Sequence, residues 1–199
     1  MPNLPIILLA AGESSRMGSP KPLLLWKGKI LIEFQLKNLL STHQQVFVVL
    51  GANAHQIIPF INATEITVSI NEDWKEGMST SIAFAVKKVM DTIKNMDGVI
   101  ITAIDQPLVD TKHLNTIIKS FKANEKQIIV SESDNGWRGV PALFDKCYLQ
   151  ELAKLKGDSG AKIVVRNHSK NVQTVYAGNK LADMDTPEIY QQLKSAAHQ

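Results

Sequence analysis

The chain predicts a three-layer α/β/α fold built on a mostly parallel sheet. Three observations predict it. Continuous apolar runs at Ile6–Leu9, Val46–Leu50 and Val99–Ala103 suit strands buried on both faces. Segments with helical spacing of apolar residues separate these runs, as crossovers between parallel strands require. A loop of small residues, Ala10-Ala11-Gly12, follows the first run directly. In such sheets ligands bind beyond the carboxyl ends of the strands.

The elements follow in order. After the loop, Pro22 to Trp26 leads to a turn at Lys27-Gly28-Lys29. Residues 30–40 carry apolar side chains at 31, 32, 36, 39 and 40, a helical period. After the 46–50 strand, Gly51-Ala52-Asn53 turns into a short helix that Pro59 interrupts. Residues 65–70 read as a third strand through Thr67 and Val68, and 79–93 as a helix through Ile82, Val86 and Val89. The 99–103 strand runs into Asp105-Gln106-Pro107, and a helix over 111–123 is capped by Asp110 or Thr111. Strands are expected over 127–131 and 140–144, separated by the turn Asn135-Gly136-Trp137-Arg138-Gly139. Helices are expected over 145–155 and 158–167 and a last strand over 172–176. Thr186 caps a final helix whose first residue is Pro187. Residues 1–199 read as a single domain, without internal repeat, low-complexity stretch or linker.

Composition narrows the class. With 44% hydrophobic residues the chain is ordinary globular material, long enough for a sizeable core. Its formal net charge of +3 comes from 22 basic and 19 acidic residues, with no basic tract that would point to nucleic acid. No run approaches the roughly 20 apolar residues of a membrane helix. Residues 1–5 lack the basic start of a secretory signal, so a cytoplasmic location is the expectation. The single cysteine, Cys147, excludes an internal disulfide and a multi-cysteine zinc site, and reads as a structural thiol. The five histidines, at 43, 55, 113, 168 and 198, fall in no metal-ligand spacing.

The loop after the first strand has the makings of a triphosphate cradle. Small residues let a ligand approach the backbone, whose N–H groups can point at phosphate oxygens. Arg16 and Lys21 add a planar fork and a point charge. It is not a Walker loop, because Pro22 follows Lys21, and the G-x-G-x-x-G dinucleotide fingerprint is absent. The stretch Leu9-Ala10-Ala11-Gly12-x-Ser14-x-Arg16-Met17-Gly18-x-x-Lys21 resembles the L-A-A-G-x-S-x-R-M-G-x-x-K pattern of nucleotidyltransferases, matching it at every fixed position. Nucleotidyl transfer needs positioning, cations and usually Mg²⁺, which takes one or two carboxylates plus substrate phosphates. Asp105, just past a buried strand, and Asp185, in an Asp-x-Asp-Thr-Pro segment before a helix, are the candidate carboxylates. Both also suit plain structural work, Asp105 in its turn and Asp183 with Asp185 at the start of the last helix.

Further motifs narrow the resemblance. Asn71…Trp74…Gly77-Met78-Ser79…Ser81-Ile82, Asp105-Gln106-Pro107, Gly139…Pro141…Phe144, Gly157-Asp158…Gly160-Ala161 and Asp183…Asp185-Thr186-Pro187-Glu188 occur in the order seen in the molybdenum cofactor cytidylyltransferase family, across residues 6–190. That family shares its phosphate loop with guanylyl relatives. The resemblance implies the Rossmann-like, nucleotide-diphospho-sugar transferase-like fold. It implies an Mg²⁺-dependent reaction of CTP, or GTP, with the molybdopterin cofactor that releases pyrophosphate, the product passing to a molybdenum hydroxylase. Carried over by motif position, Leu9, Ala10, Ala11 and Gly12 border the nucleotide, and Arg16 and Lys21 hold its β- and γ-phosphates. Gly77, Ser79 and Ser81 line the nucleoside pocket, and Asp105 and Asp185 hold the metal. Gly157, Asp158 and Gly160, opening a helix, face the acceptor phosphate, with Arg138 on the same side.

Two positions depart from the family: Val140 stands where His is frequent, and Lys162 where Arg is frequent. Both fall on the acceptor side, so a sugar phosphate stays open as acceptor, as does a non-catalytic carrier of the cofactor. The intact set Arg16, Lys21, Asp105 and Asp185 argues against a pure carrier. The Gly136–Gly139 segment is either an acceptor loop or a loop whose Trp137 packs on its own domain.

Overall fold

The computed structural model describes residues 1–61 and 64–197. Its centre is a seven-stranded sheet. β1 (Ile6–Ala10) pairs in parallel with β4 (Val46–Leu50) on one side and β6 (Gly98–Ala103) on the other. β5 (Ile66–Ile70) extends the sheet beyond β4. Beyond β6 come β8 (Arg138–Asp145), β7 (Ile128–Ser133) and β9 (Val172–Gly178), giving the order β5-β4-β1-β6-β8-β7-β9. Every neighbour pair is parallel except the two made by β8. A short hairpin, β2 (Leu25–Trp26) with β3 (Lys29–Ile30), turns at the expected Lys27-Gly28.

Alternation along the central strands makes two cores. Ile6, Leu8 and Ala10 face one side with Val46, Val48 and Leu50. There they meet α1 (Leu31–Leu40), α4 (Thr111–Ser120) and Tyr190 of α7 (Pro187–Ala196). Ile7 and Leu9 face the other side with Phe47 and Val49. Their partners are α3 (Met78–Thr92), α5 (Leu149–Leu152) and Val164 of α6 (Lys162–Asn167). α2 (Ala54–Ile57) passes into a 3-10 turn at Ile58–Phe60, where Pro59 ends the α-helical pattern. The three-layer α/β/α fold is as the sequence predicts.

The caps choose between sequence alternatives. Asp110 Oδ1 accepts the His113 N–H at 2.8 Å, so Asp110 rather than Thr111 caps α4. Thr186 Oγ1 accepts the Ile189 N–H at 3.4 Å at the start of α7.

Three expected boundaries shift. β8 begins at Arg138, so Arg138 and Gly139 belong to the strand and not to the turn. The expected helix over 145–155 is a 3-10 turn, Lys146–Tyr148, followed by α5 of 4 residues. The expected helix over 158–167 loses its first turn. Gly157 (φ +75°) and Gly160 (φ +58°) adopt left-handed backbone there, which a right-handed helix excludes. No helix among the described residues is long and apolar enough to cross a membrane.

Candidate functional site

The carboxyl ends of β1 and β6 open into a pocket of about 200 Å³. Leu9, Ala10, Ala11 and Gly12 form one wall, with Lys21, Ser81 and Asp105 around it. A Cβ built on Gly12 meets nothing within 4 Å, so the backbone there faces open space. The loop is closed by a contact that the sequence reading did not assign. Ser14 Oγ accepts the Lys21 N–H at 3.0 Å, tying the loop's start to its cationic end. Ser14 itself stands in left-handed backbone at φ +60°.

Lys21 joins the two carboxylates that the sequence proposes as a pair. Its Nζ lies 2.6 Å from Asp185 Oδ1 and 3.4 Å from Asp105 Oδ2. Backbone brings the segments together, because the Met184 N–H donates to Asp105 C=O at 2.8 Å. Gln106 reinforces this: its Nε2 donates to Asp183 Oδ1 at 3.1 Å, while its own C=O accepts from Gln35 Nε2 of α1 at 2.8 Å. Burial, then the nearby Asp105, pushes the Asp183 carboxyl above its ordinary range. Arg16 is the looser cation, 3.9 Å from Asp185 Oδ2 and 75% exposed. It lines a small cleft with Ser14, Ser15, Lys21 and Asp185.

The Gly77 segment divides the expected nucleoside-pocket residues. Ser81 lines the pocket, its Oγ accepting from Asn71 Nδ2 at 3.0 Å. Ser79 is fully buried, and its Oγ accepts the Gly160 N–H at 3.0 Å while its own N–H donates to Gly157 C=O at 3.0 Å. Gly77 (φ +106°) presses on the same loop, where a Cβ would lie 1.9 Å from Asp158 Oδ1. Ser79 and Gly77 therefore staple the 157–160 segment to the start of α3. Within that segment the Gly160 N–H is thus already used, and α6 begins two residues later, at Lys162.

Arg138 pairs across the strands with Glu132, Nε to Oε2 at 2.5 Å. Trp74, Met78 and Pro22 line the pocket without having been read as site residues. For Trp74 a signal existed in the Asn71…Trp74…Gly77 motif; its side chain packs so closely on Gly51 that a Cβ there would lie 2.6 Å from Trp74 Cβ and 2.7 Å from Ala11 C=O. The Cys147 thiol is pushed up to about 11 by desolvation of the sulfur and by Asp145, so it is protonated at neutral pH and no nucleophile. His113 is a core histidine, its Nε2 2.8 Å from Ser131 Oγ. His198 lies outside the described residues.

A divalent cation fits the carboxylate pair on one observation: Asp105 and Asp185 already bracket a cation, the Lys21 ammonium. Among the described residues no group of three or more His, Cys, Asp or Glu side chains gathers in metal-binding geometry. A metal held by the pair would complete its shell with substrate phosphates and water, as Mg²⁺ commonly does.

Sheet order, phosphate loop and a cation–carboxylate cluster at the sheet edge define a protein of the nucleotide-diphospho-sugar transferase-like Rossmann class. The family model of the MobA-like NTP transferase domain matches residues 6–172, and the chain belongs to that family of nucleotidyltransferases. It is 27% identical to the purine catabolism protein PucB of Bacillus subtilis, over 96% of this chain and 95% of that one. It is 25% identical to nicotine blue oxidoreductase of Paenarthrobacter nicotinovorans, over 92% of each chain. It is also 25% identical to molybdenum cofactor cytidylyltransferase of Escherichia coli, over 92% of each chain. Among solved structures, Rv0371c of Mycobacterium tuberculosis superimposes with a TM-score of 0.86 at 26% identity, covering 98% of both chains. A manganese complex of Rv0371c superimposes at 0.81 with 24% identity, over 98% of this chain and 99% of that one.

Proposed function

We propose that this chain transfers CMP from CTP to the molybdopterin cofactor and releases pyrophosphate, with residues 1–199 acting as one domain. The observation that carries the proposal is the Lys21–Asp185–Asp105 cluster at the mouth of the Leu9–Gly12 pocket. A triphosphate there meets the Leu9–Gly12 backbone, Lys21 and Asp105, with Arg16 and Asp185 in the adjoining small cleft that Lys21 also lines. The likeness to the Escherichia coli cytidylyltransferase supports CTP and the acceptor. A redox reading, raised by the name of the Paenarthrobacter relative, gains no support from the loop, which lacks a dinucleotide fingerprint.

In the proposed reaction a phosphate oxygen of the acceptor attacks the α-phosphorus of CTP. The bond from that phosphorus to the α–β bridging oxygen breaks, and its electrons leave with pyrophosphate. Arg16 and Lys21 hold the β- and γ-phosphates and stabilise the charge that gathers there. Lys21 must exchange its carboxylate partners for phosphate oxygens as the nucleotide arrives. Asp105 and Asp185 would hold Mg²⁺, which when bound neutralises triphosphate charge. Ser81 and the pocket backbone can read a base edge by hydrogen bonds without a charged side chain. A site that pairs those groups rejects a base that leaves them unpaired. The product, a cytosine dinucleotide cofactor, suits delivery to a molybdenum hydroxylase in the cytoplasm.

The test is kcat/KM for CTP and for GTP with molybdopterin, with mass analysis of the product. A higher value for CTP is expected. Equal or faster use of GTP assigns the protein to guanylyl transfer, and absence of pyrophosphate release from every nucleotide removes the transferase proposal.

A further inference from the structure

The turn between β7 and β8 is a motif that the nucleotide pocket does not use. It is a built turn: the Ser133 N–H donates to Trp137 C=O at 2.9 Å, the Trp137 N–H donates to Asn135 Oδ1 at 3.1 Å, and Gly136 takes φ +77°. It presents Trp137 at the carboxyl end of β7, the sheet edge that also carries Asp105. The indole lies against the backbone of Gly139, where a Cβ would come within 2.1 Å of the ring. Trp137 keeps 38% exposure and lines the groove beside it.

Beside Trp137 runs a groove of about 350 Å³, near the lower end of small-molecule sites. Asn135 and Asp134 contribute from the turn, and Asn179, Leu181 and Asp183 from the segment leading to Asp185. Among the described residues no Lys, Arg or His lines it, and its charges are both carboxylates. A groove of this kind repels phosphate. It favours an uncharged ring that carries N–H donors and can stack on an indole. Asp183 links the groove to the cation–carboxylate cluster through Gln106, next in sequence to Asp105.

We propose that this groove holds the ring end of the acceptor: a flat, uncharged heteroaromatic bearing N–H donors, stacked on Trp137, with its phosphate directed toward Lys21, Asp105 and Asp185. The proposal rests on the transferase reading for the acceptor's phosphate end but not for binding of the ring. It divides the substrates between two cavities, the triphosphate at β1 and β6 and the acceptor ring at β7 and β9. It also gives the acidic lining a purpose, since the phosphate end is excluded from the groove and accepted only beside the cations.

The probe is unsubstituted pterin, 2-amino-4-oxopteridine, followed by its own fluorescence anisotropy against the full-length protein. The wild-type protein should bind it, Trp137→Ala should weaken binding at least tenfold, and Trp137→Phe should restore part of the loss. Thermal melting of both variants should match the wild type, because the side chain is not in either core. In the transfer assay Trp137→Ala should raise KM for molybdopterin at least tenfold and leave KM for CTP unchanged. Failure of the wild-type protein to bind pterin, or equal binding by Trp137→Ala, overturns the proposal. Trp137-dependent pterin binding without pyrophosphate release from any nucleotide would keep the ring groove and remove the transferase reading.

Discussion

The ammonium of Lys21 stands 2.6 Å from a carboxylate oxygen of Asp185, a residue 164 positions further along the chain, and 3.4 Å from Asp105. Lys21 is mostly buried, so this positive charge balances two carboxylates inside the cleft. An ammonium held against the same two carboxylates opposes a divalent cation there by charge repulsion. In the nucleotide-free protein, Lys21→Met should therefore increase Mn²⁺ affinity at least tenfold, read by electron paramagnetic resonance of free Mn²⁺. The same variant should weaken triphosphate binding by about 1.5–3 kcal/mol, the worth of a hydrogen bond to a charged group. Mn²⁺ affinity no higher than wild type would show that Lys21 does not compete for the pair.

Asp105→Asn should slow transfer by several kcal/mol, on the order of 10³-fold, with a melting temperature close to wild type. The fold should survive because the tie to the last segment uses the backbone C=O of Asp105, not its side chain. Near-normal turnover at limiting Mg²⁺ would remove Asp105 from the metal site.

Gly77→Ala is expected to destabilise the protein by roughly 1–3 kcal/mol, measured by denaturant unfolding. The residue holds φ +106°, and an added Cβ meets Asp158 Oδ1 at 1.9 Å and Gly157 C=O at 2.7 Å. The loop must move away from Ser79, so the Gly160 N–H loses its acceptor. An unchanged midpoint would mean that the 157–160 loop moves aside freely.

His113 gives a pH signature. Burial, then the charge of Lys180, holds its imidazole below the usual histidine value of 6.5. Its Nε2–H donates to Ser131 Oγ, since that hydroxyl donates in turn to Pro141 C=O at 2.6 Å. The unfolded chain thus binds a proton more readily than the folded one, and stability falls as pH drops below about 6.5. His113→Gln should be less stable at neutral pH yet show a shallower loss between pH 6.5 and 5 in urea titrations. Parallel pH curves for the two proteins would assign the acid sensitivity elsewhere.

The strands and the phosphate loop were legible because their signals are local. Five consecutive apolar residues, as in Ile6–Ala10, have few ways to be buried other than a central strand. The cap at Thr186-Pro187 is equally local, resting on an acceptor side chain and a fixed φ. Candidate residues from motifs distant in the chain were legible only as types, a cation here and a carboxylate there.

Packing decided the rest. The sequence by itself determined the α/β layering, the small-residue loop with Arg16 and Lys21, and the carboxylates available at the ends of elements. Only the tertiary structure decided that β8 runs antiparallel, which brings Trp137 and Arg138 to the site edge. It also decided that Ser79 is spent on Gly160, that Asp105 is tied to Met184, and that Lys21 reaches both carboxylates. The physical reason is range. Periodicity and capping act over a few residues, whereas a hydrogen bond between distant segments depends on where the sheet and its helices place them.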